Sequence, residues 1–196
     1  MSKLKSELIK YSKKLNITNL SALRSGNISL RAREKGVDGF YITPSGRKYS
    51  SLKPKDIVFV SLKGIFDKKK GKPSSEWRFH QDIYLSKKEA KAIVHAHSTC
   101  AAAVSSHQKN IPAFHYMIGV AGGEDLKCTK YATFGTKQLS KNIIKALKNR
   151  SACLIANHGQ VAFSSNLEKA FELAQEVENI CHQYINALRI GIPKKL

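Results

Sequence analysis

The sequence predicts one domain in which strands and helices are mixed, of the α/β or α+β class. Short β-branched or alternating runs, typical of strands, are interspersed with segments whose apolar residues recur at helical spacing. The chain has 196 residues, which is enough for one domain with a substantial core. It contains no internal repeat, low-complexity segment or linker, so we expect a single domain over residues 1–196.

The first part of the chain is predicted to be a helix followed by strands. Leu4, Ile9 and the aliphatic residues around them fall on one side of a helix, and the later segments alternate or are β-branched. The predicted elements are a helix over 4–15, strands over 27–33, 39–43 and 56–62, and a hairpin through Gly64 and Gly71.

The rest of the chain alternates between helices and apolar strands. Ser75 opens one predicted helix and Asn166 caps the last, because short polar side chains accept hydrogen bonds from the free N–H groups at helix starts. The predicted helices cover 75–87, 98–108, 135–149 and 166–190, and the predicted strands cover 92–97, 151–159 and 161–165.

The composition narrows the class of partner. The net charge is +20, from 34 basic and 14 acidic residues, but the lysines are scattered and no basic stretch is interleaved with aromatic residues. We therefore expect a lysine-rich surface and no nucleic-acid partner. The positive electrostatic field of such a surface would still attract an anionic substrate. No apolar run approaches the roughly 20 residues of a membrane helix, so we expect no membrane association.

The cysteines and the N-terminus indicate the compartment. Cys100, Cys128, Cys153 and Cys181 are widely spaced and form no CxxC pair. Free thiols in a reducing compartment fit this pattern best, and a cysteine-based zinc site does not. The charged N-terminus lacks the apolar core of a secretory signal, so we expect a cytoplasmic protein.

Two histidines follow an apolar run in "AIVHAHSTCAAA". Residues two apart in a strand point to the same face, so His95 and His97 could converge on one ion. The alternative is a half-buried strand with two polar residues at its edge. A third histidine, His158, ends another apolar run in "CLIANHG". Three imidazoles without a thiolate match a catalytic zinc site, which leaves coordination positions open. The remaining histidines, His80, His107, His115 and His182, are less clearly placed.

A helix start in "KPSSEWRFH" is a candidate anion site. Ser74 and Ser75 precede Glu76, and their hydroxyls lie beside the free backbone N–H groups of a helix N-terminus. The alternative is a plain helix cap by Ser75, with Glu76 in the first turn favouring the helix dipole.

Two turns could bring the backbone close to a ligand. The segments "RSGNISL" and "TPSGRKY" place a glycine beside a short polar residue, and glycine allows close approach. Each segment alone is more often an ordinary turn. The residues concerned are Gly26, Asn27, Ser45 and Gly46.

Taken in order, these segments resemble the class II aldolase/adducin family. The resemblance runs from about residue 20 to 190 through "SGN", "TPSG", "PSSEWRFH", "VHAHS", "IPAFHYMIGVAGGED", "YATFGT", "NRSACLIANHG" and "NLEKAFELAQEVE". It is most specific around Glu76, across 111–136 and around His158. Two departures are an alanine between the two histidines, and Arg24 where a small or hydroxyl residue is expected.

The resemblance implies a role for each candidate residue. His95, His97 and His158 match zinc ligands, and Glu76 matches the catalytic acid–base group, which can also contact the metal. Tyr116 matches a catalytic tyrosine presented by a neighbouring subunit, and Phe134 an aromatic residue at the same interface. The residues that match the pocket for the substrate phosphate are Gly26, Asn27, Ser45, Gly46, Ser74 and Ser75.

The resemblance also implies a fold and an activity. The fold is a three-layer α/β/α domain around a largely antiparallel sheet, assembled as a homotetramer. The activity is that of a Zn²⁺-dependent lyase, which cleaves a ketose 1-phosphate of the L-fuculose 1-phosphate type into dihydroxyacetone phosphate and a short aldehyde. The alternatives are methylthioribulose-1-phosphate dehydratase or pentulose-phosphate 4-epimerase activity on the same scaffold, and a non-catalytic, adducin-like interaction module.

Overall fold

The protein folds as an antiparallel sheet covered by helices. The computed structural model describes residues 2–196; Met1, the first residue of the predicted domain, lies outside them. The division into one domain remains a prediction. The helices are α1 (Ser2–Ile17), α2 (Trp77–Ser86), α3 (Thr99–Ser105), α4 (Lys137–Ala146) and α5 (Leu167–Ile190). The strands are β1 (Asn27–Glu34), β2 (Val37–Ile42), β3 (Val58–Ser61), β4 (Ala92–Ala96), β5 (Ala152–Ile155) and β6 (Gly159–Ser164).

The six strands form one sheet in the order β3-β2-β1-β4-β6-β5. All five strand pairs are antiparallel. The central pairs bring the amino end of β1 beside the carboxyl end of β4, where Asn27 is opposite His95. The histidines of "HAH" therefore meet the "GN" turn at this end of the two central strands.

Each face of the sheet carries its own apolar core, which makes the structure three-layered. Helices α1, α3 and α5 cover one face, where Val94 and Phe171 belong to one buried cluster. Helices α2 and α4 cover the other face, where Ile93 and Ile143 belong to a second cluster. The period-2 alternation along β4 sends Val94 and Ile93 to opposite faces. The predicted α/β class with a largely antiparallel sheet is confirmed.

The predicted hairpin through Gly64 and Gly71 is wrong. The turn after β3 forms, with Gly64 N–H donating to the Ser61 carbonyl at 2.9 Å. No strand of the described chain follows it on β3; instead Pro73 makes an isolated bridge to Pro44. The intervening "DKKKGK" has no apolar side chain to cover a sheet face, and a proline cannot donate to a ladder.

Helix α2 begins later than predicted, and Ser75 is not its cap. The backbone of Glu76 has φ −99° and ψ 9°, outside the helix, and Glu76 occupies the N-cap position without a capping side-chain bond. The Ser74 hydroxyl accepts the Glu76 N–H at 3.3 Å instead. The Glu76 side chain is thus free to point toward the ends of β1 and β4. Asn166 does cap α5, accepting from the Lys169 N–H at 2.8 Å.

Helix α2 lies against β1 with matched spacing. Four residues of a helix advance about 6.0 Å, and two residues of a strand advance about 6.6 Å. Glu76, His80 and Tyr84 therefore form a stripe that faces Asn27 and Ser29 in register. This match places polar side chains of both elements in continuous contact beneath the site.

Among the helices of residues 2–196, none combines the length and apolar character needed to cross a membrane.

Candidate metal centre

His95 is held with one ring nitrogen facing the site. It is fully buried on β4, and its Nδ1 lies 2.7 Å from the Gln160 carbonyl oxygen. A carbonyl only accepts, so Nδ1 carries the proton and Nε2 is the nitrogen with a free lone pair. The Gln160 side chain is itself fixed, because its Nε2 donates to Ser98 Oγ and to the Ala174 carbonyl. Such outer contacts fix the orientation of a metal ligand.

His97 lies just beyond the end of β4. Its backbone N–H donates to the Ser21 hydroxyl at 3.0 Å, which ties it to the loop before β1. Its Nε2 lies 2.9 Å from Nε2 of His95. The two imidazoles therefore converge as the i, i+2 spacing predicts.

His158 reaches the site from the tight turn between β5 and β6. Asn157 adopts the left-handed conformation, with φ 55°, which asparagine tolerates better than most residues. A Cβ at Gly159 would lie 2.3 Å from the Ala96 carbonyl oxygen. Only glycine permits this approach of β6 to the end of β4, and the approach brings His158 beside His97.

Glu76 completes the cluster. Its Oε2 lies 3.0 Å from His95 Nε2, and its Oε1 lies 3.4 Å from His158 Nε2. One ligand atom from each of Glu76, His95, His97 and His158 falls within 4.8 Å of the others. The side chains come from the start of α2, the end of β4 and the β5–β6 turn, which only the folded sheet brings together.

The electrostatics of the cluster favour an ionised carboxylate beside two neutral imidazoles, those of His97 and His158. Burial opposes ionisation of Glu76, but the adjacent His95, His158 and His97 outweigh it and hold the carboxyl pKa below its usual range. Burial and the neighbouring His95 lower the pKa of His97 to about 3 and that of His158 to about 4. Burial also disfavours a charged His95, but contact with Glu76 raises the pKa of that ring.

The donor set fits a divalent metal ion. Neutral imidazole nitrogens are the form that binds metals, and one carboxylate adds a charged ligand. Glu76 Oε1 is buried and has no hydrogen-bond partner among the described residues. A buried polar atom without a partner calls for an explanation, and a bound cation supplies one. The ligand types favour zinc over calcium or magnesium, which prefer oxygen.

The predicted phosphate residues line one cavity with the cluster. This cavity has a volume of about 460 Å³ and is lined by Glu76, His97 and His158. The same lining contains every residue that was matched to the phosphate pocket, namely Gly26, Asn27, Ser45, Gly46, Ser74 and Ser75. Gly26 has φ 75°, and a Cβ there would lie 2.6 Å from the His95 carbonyl oxygen, so its turn needs glycine.

Arg24 lines the cavity as well, although the family resemblance implies a small or hydroxyl residue there. Its Nη1 donates to the Gly46 carbonyl at 3.2 Å, which holds the guanidinium beside the "SG" turn. Arg24 is the one arginine or lysine among the described residues that line this cavity. It adds positive charge to a pocket otherwise built from neutral donors.

Asn27 and His80 show what reasoning from the sequence missed. Asn27 was matched to the phosphate pocket, yet its Nδ2 donates to Glu76 Oε2 at 3.0 Å. His80, which had no assigned role, is fully buried and contacts Asn27 Oδ1 at 2.5 Å. The i, i+4 spacing from Glu76 to His80 was the available signal, because it puts both on one face of α2.

Within one chain, Tyr116 does not line the cavity of the cluster. It begins a short 3₁₀ helix, Tyr116–Ala121, and its side chain is 75% exposed. It lines a second cavity together with Asp125 and Arg150, and not the cavity of Glu76. Phe134, by contrast, is exposed at the wall of the Glu76 cavity.

We expect His95→Ala and His158→Ala to lose bound zinc, because each removes one imidazole ligand. His107→Ala, which changes a histidine outside the cluster, should retain one zinc per chain. The measurement is metal content by mass spectrometry after dialysis, with circular dichroism to verify folding. Full zinc retention in both cluster variants would refute the assignment of the ligands.

Comparisons with known proteins agree with this geometry. Residues 6–185 match the family described as "Class II Aldolase and Adducin N-terminal domain". L-fuculose phosphate aldolase of Escherichia coli (strain K12) is 43% identical over 192 residues, covering 98% of this chain and 87% of the relative. The 5-methylthioribulose-1-phosphate/5-deoxyribulose-1-phosphate aldolase of Rhodospirillum rubrum is 41% identical over 189 residues, covering 96% and 83%.

A solved structure gives the same result. An L-fuculose 1-phosphate aldolase superposes with a TM-score of 0.93 at 42% identity, covering 100% of this chain and 91% of the other. The match extends over the elements that carry Glu76 and the three histidines. The chain therefore belongs to the class II aldolase and adducin family, and it is a lyase of the class II aldolase type.

Proposed function

We propose that the protein is a zinc-dependent aldolase that cleaves a ketose 1-phosphate of the L-fuculose 1-phosphate type into dihydroxyacetone phosphate and a short aldehyde. One observation carries the proposal. Glu76, His97 and His158 line the same cavity as the hydroxyl and glycine turns at 26–27, 45–46 and 74–75. A metal site next to a pocket of anion donors suits a substrate with a phosphate at one end and reacting oxygens at the other.

The phosphate pocket would hold the end of the substrate that does not react. Ser45 and Ser75 offer hydroxyl donors, and Gly46 lets the backbone approach closely. Arg24 is placed beside Gly46 to add charge. Binding energy at the phosphate then positions C2 to C4 at the cluster, which lowers the entropic cost of the reaction.

Glu76 is proposed as the group that moves the proton at C3. In condensation it takes this proton from dihydroxyacetone phosphate, and in cleavage it returns the proton after the C3–C4 bond has broken. A divalent ion held by His95, His97 and His158 would supply a Lewis acid for the negative charge that develops on the substrate. Burial of Glu76 excludes bulk water from this transfer.

Tyr116 is proposed as the group that exchanges the proton of the C4 oxygen. It would take this proton during cleavage and give it back to the aldehyde oxygen during condensation. Because Tyr116 does not line its own chain's cavity, this role requires a neighbouring copy, and we propose the homotetramer that the family resemblance implies. Exposed Tyr131 and Phe134 at the cavity support a covered surface there.

A second substrate follows from the similarity to the Rhodospirillum rubrum aldolase. 5-Deoxyribulose 1-phosphate shares the phosphate, the C2 carbonyl and the C3 and C4 hydroxyls, and it differs only in the aldehyde portion. Dehydration of methylthioribulose 1-phosphate remains the alternative reaction, because a buried carboxylate beside a metal also serves loss of water. A pentulose-phosphate 4-epimerase would break and re-form the C3–C4 bond without releasing either half.

We also propose a cytoplasmic location. Cys100, Cys128, Cys153 and Cys181 are all free thiols in the structure. Free thiols persist where the medium is reducing.

We expect the zinc-loaded protein to release dihydroxyacetone phosphate from L-fuculose 1-phosphate or 5-deoxyribulose 1-phosphate. A coupled assay with glycerol-phosphate dehydrogenase and NADH measures the triose phosphate, and a hydrazone assay measures the aldehyde in equal amount. L-Fuculose without phosphate is the control and should react far more slowly, because the phosphate pocket is unused. If neither ketose yields triose phosphate but methylthioribulose 1-phosphate loses water, the reaction is dehydration.

We expect Glu76→Gln and Tyr116→Phe each to lower turnover by about 10²–10⁴-fold, the usual contribution of an acid–base group. Mixing the two variants under conditions that exchange subunits should restore activity at about a quarter of the sites, since each site then draws one group from each chain. Each variant, dissociated and reassembled alone, is the control. A mixture as inactive as both parents would contradict a Tyr116 supplied by a neighbour.

A further inference from the structure

A buried chain of hydrogen bonds runs from α2 through β1 to the carboxylate of Glu76. Tyr84 Oη lies 2.8 Å from Ser29 Oγ, which lies 2.7 Å from His80 Nδ1. His80 Nε2 contacts Asn27 Oδ1, and Asn27 Nδ2 lies 3.0 Å from Glu76 Oε2. All five side chains are buried, and His80 and Ser29 are fully so. The proposed reaction assigns no role to His80.

The direction of every bond follows from the carboxylate at the end of the chain. An ionised carboxylate only accepts, so the Asn27 amide must present its NH₂ group to Glu76. Its carbonyl oxygen, Oδ1, then faces His80 and also only accepts. His80 must therefore carry its proton on Nε2 and leave Nδ1 as an acceptor. The Ser29 hydroxyl donates to Nδ1, and the Tyr84 hydroxyl donates to Ser29.

A neutral His80 fits this arrangement. Burial, and then the nearby His95, lower the pKa of His80 to about 3. The ring is also clamped, because Phe79 stacks on it with centroids 4.6 Å apart. The imidazole therefore presents its donor, Nε2–H, to Asn27 and its acceptor, Nδ1, to Ser29. The packed ring cannot easily flip to reverse these two contacts.

The consequence is that the two oxygens of Glu76 are not equivalent. Oε2 accepts from Asn27, whereas Oε1 has no hydrogen-bond partner among the described residues. If Asn27 turned over, its Oδ1 would face the carboxylate and repel it. The N–H of His80 opposes that rotation, because it needs Oδ1 where it now is.

We propose that His80 is a positioning residue that fixes Glu76 through Asn27, so that Oε2 is held and Oε1, the oxygen left to contact the metal ion when substrate is absent, exchanges the substrate proton when substrate is bound. The proposal rests on the proposed function, because it takes Glu76 as the acid–base group. His80 does not contact the cavity itself. Its effect is therefore on turnover and not on recognition of the substrate phosphate.

Two variants separate positioning from packing. His80→Phe keeps an aromatic ring beside Phe79 but removes the donor, whereas His80→Gln keeps an N–H that can reach Asn27 Oδ1. We expect His80→Phe to lower kcat by about 10–100-fold, the usual cost of losing an outer contact to a catalytic group, with KM and zinc content unchanged. His80→Gln should recover most of the loss, and His182→Phe, a change on an exposed face of α5, should have no effect.

The tautomer of His80 provides a test that needs no substitution. Long-range ¹⁵N–¹H spectra of histidine-labelled wild-type protein should show His80 neutral, with the proton on Nε2. A proton on Nδ1, or a doubly protonated ring, would overturn the proposal, as would equal losses of kcat in the Phe and Gln variants, loss of zinc from the Phe variant, or a Phe variant with wild-type kcat. If the wild-type protein cleaves no ketose phosphate, the proposed function fails. The spectra still decide the direction of the hydrogen bonds between Tyr84 and Glu76.

Discussion

The buried carboxylate of Glu76 is the constraint around which the site is organised. An ionised group removed from water costs several kcal/mol unless partners replace the lost hydration. Here the Asn27 amide donates to the carboxylate on one side, and a cation held by the three imidazoles would supply the opposite charge on the other. The protein must therefore bring α2, β1, β4 and the β5–β6 turn to one point before the carboxylate is stable. Removing any one partner leaves charge or polarity unpaired.

The packing of α2 on β1 satisfies this constraint. A helix stripe with spacing of four and a strand face with spacing of two have nearly the same repeat, so Glu76, His80 and Tyr84 find polar partners along β1. Neighbouring positions on the same helix, Phe79 and Ile83, belong to the apolar core. One short helix therefore contributes apolar side chains to the core and polar side chains to the series of hydrogen bonds that ends at Glu76. This explains how a carboxylate can be both buried and well oriented.

Much of the candidate site could be predicted because its signals are local in the sequence. The spacing of His95 and His97 alone puts them on one face of a strand, and an apolar run delivers His158 to a turn. The prediction of Ser75 as the helix cap was wrong. Glu76 takes the N-cap position instead, and its side chain turns inward to contact Asn27 on β1 and His95 on β4. These contacts between distant segments cannot be seen in the local sequence. The hairpin after β3 was wrong, because turn residues do not reveal whether a strand follows. His80 was missed, because its partners Asn27 and Ser29 lie about 50 residues away in sequence.

X-ray absorption at the zinc K-edge tests the central claim most directly, because it reports the ligands of the metal without assuming a reaction. The zinc-loaded wild-type protein should show three imidazole nitrogens at about 2.0–2.1 Å with oxygen completing the shell, and no sulfur. The spectrum of Glu76→Gln should keep the three imidazoles, because the carboxylate is not among them. A sulfur ligand, or fewer than three imidazoles in the wild-type protein, would contradict the account.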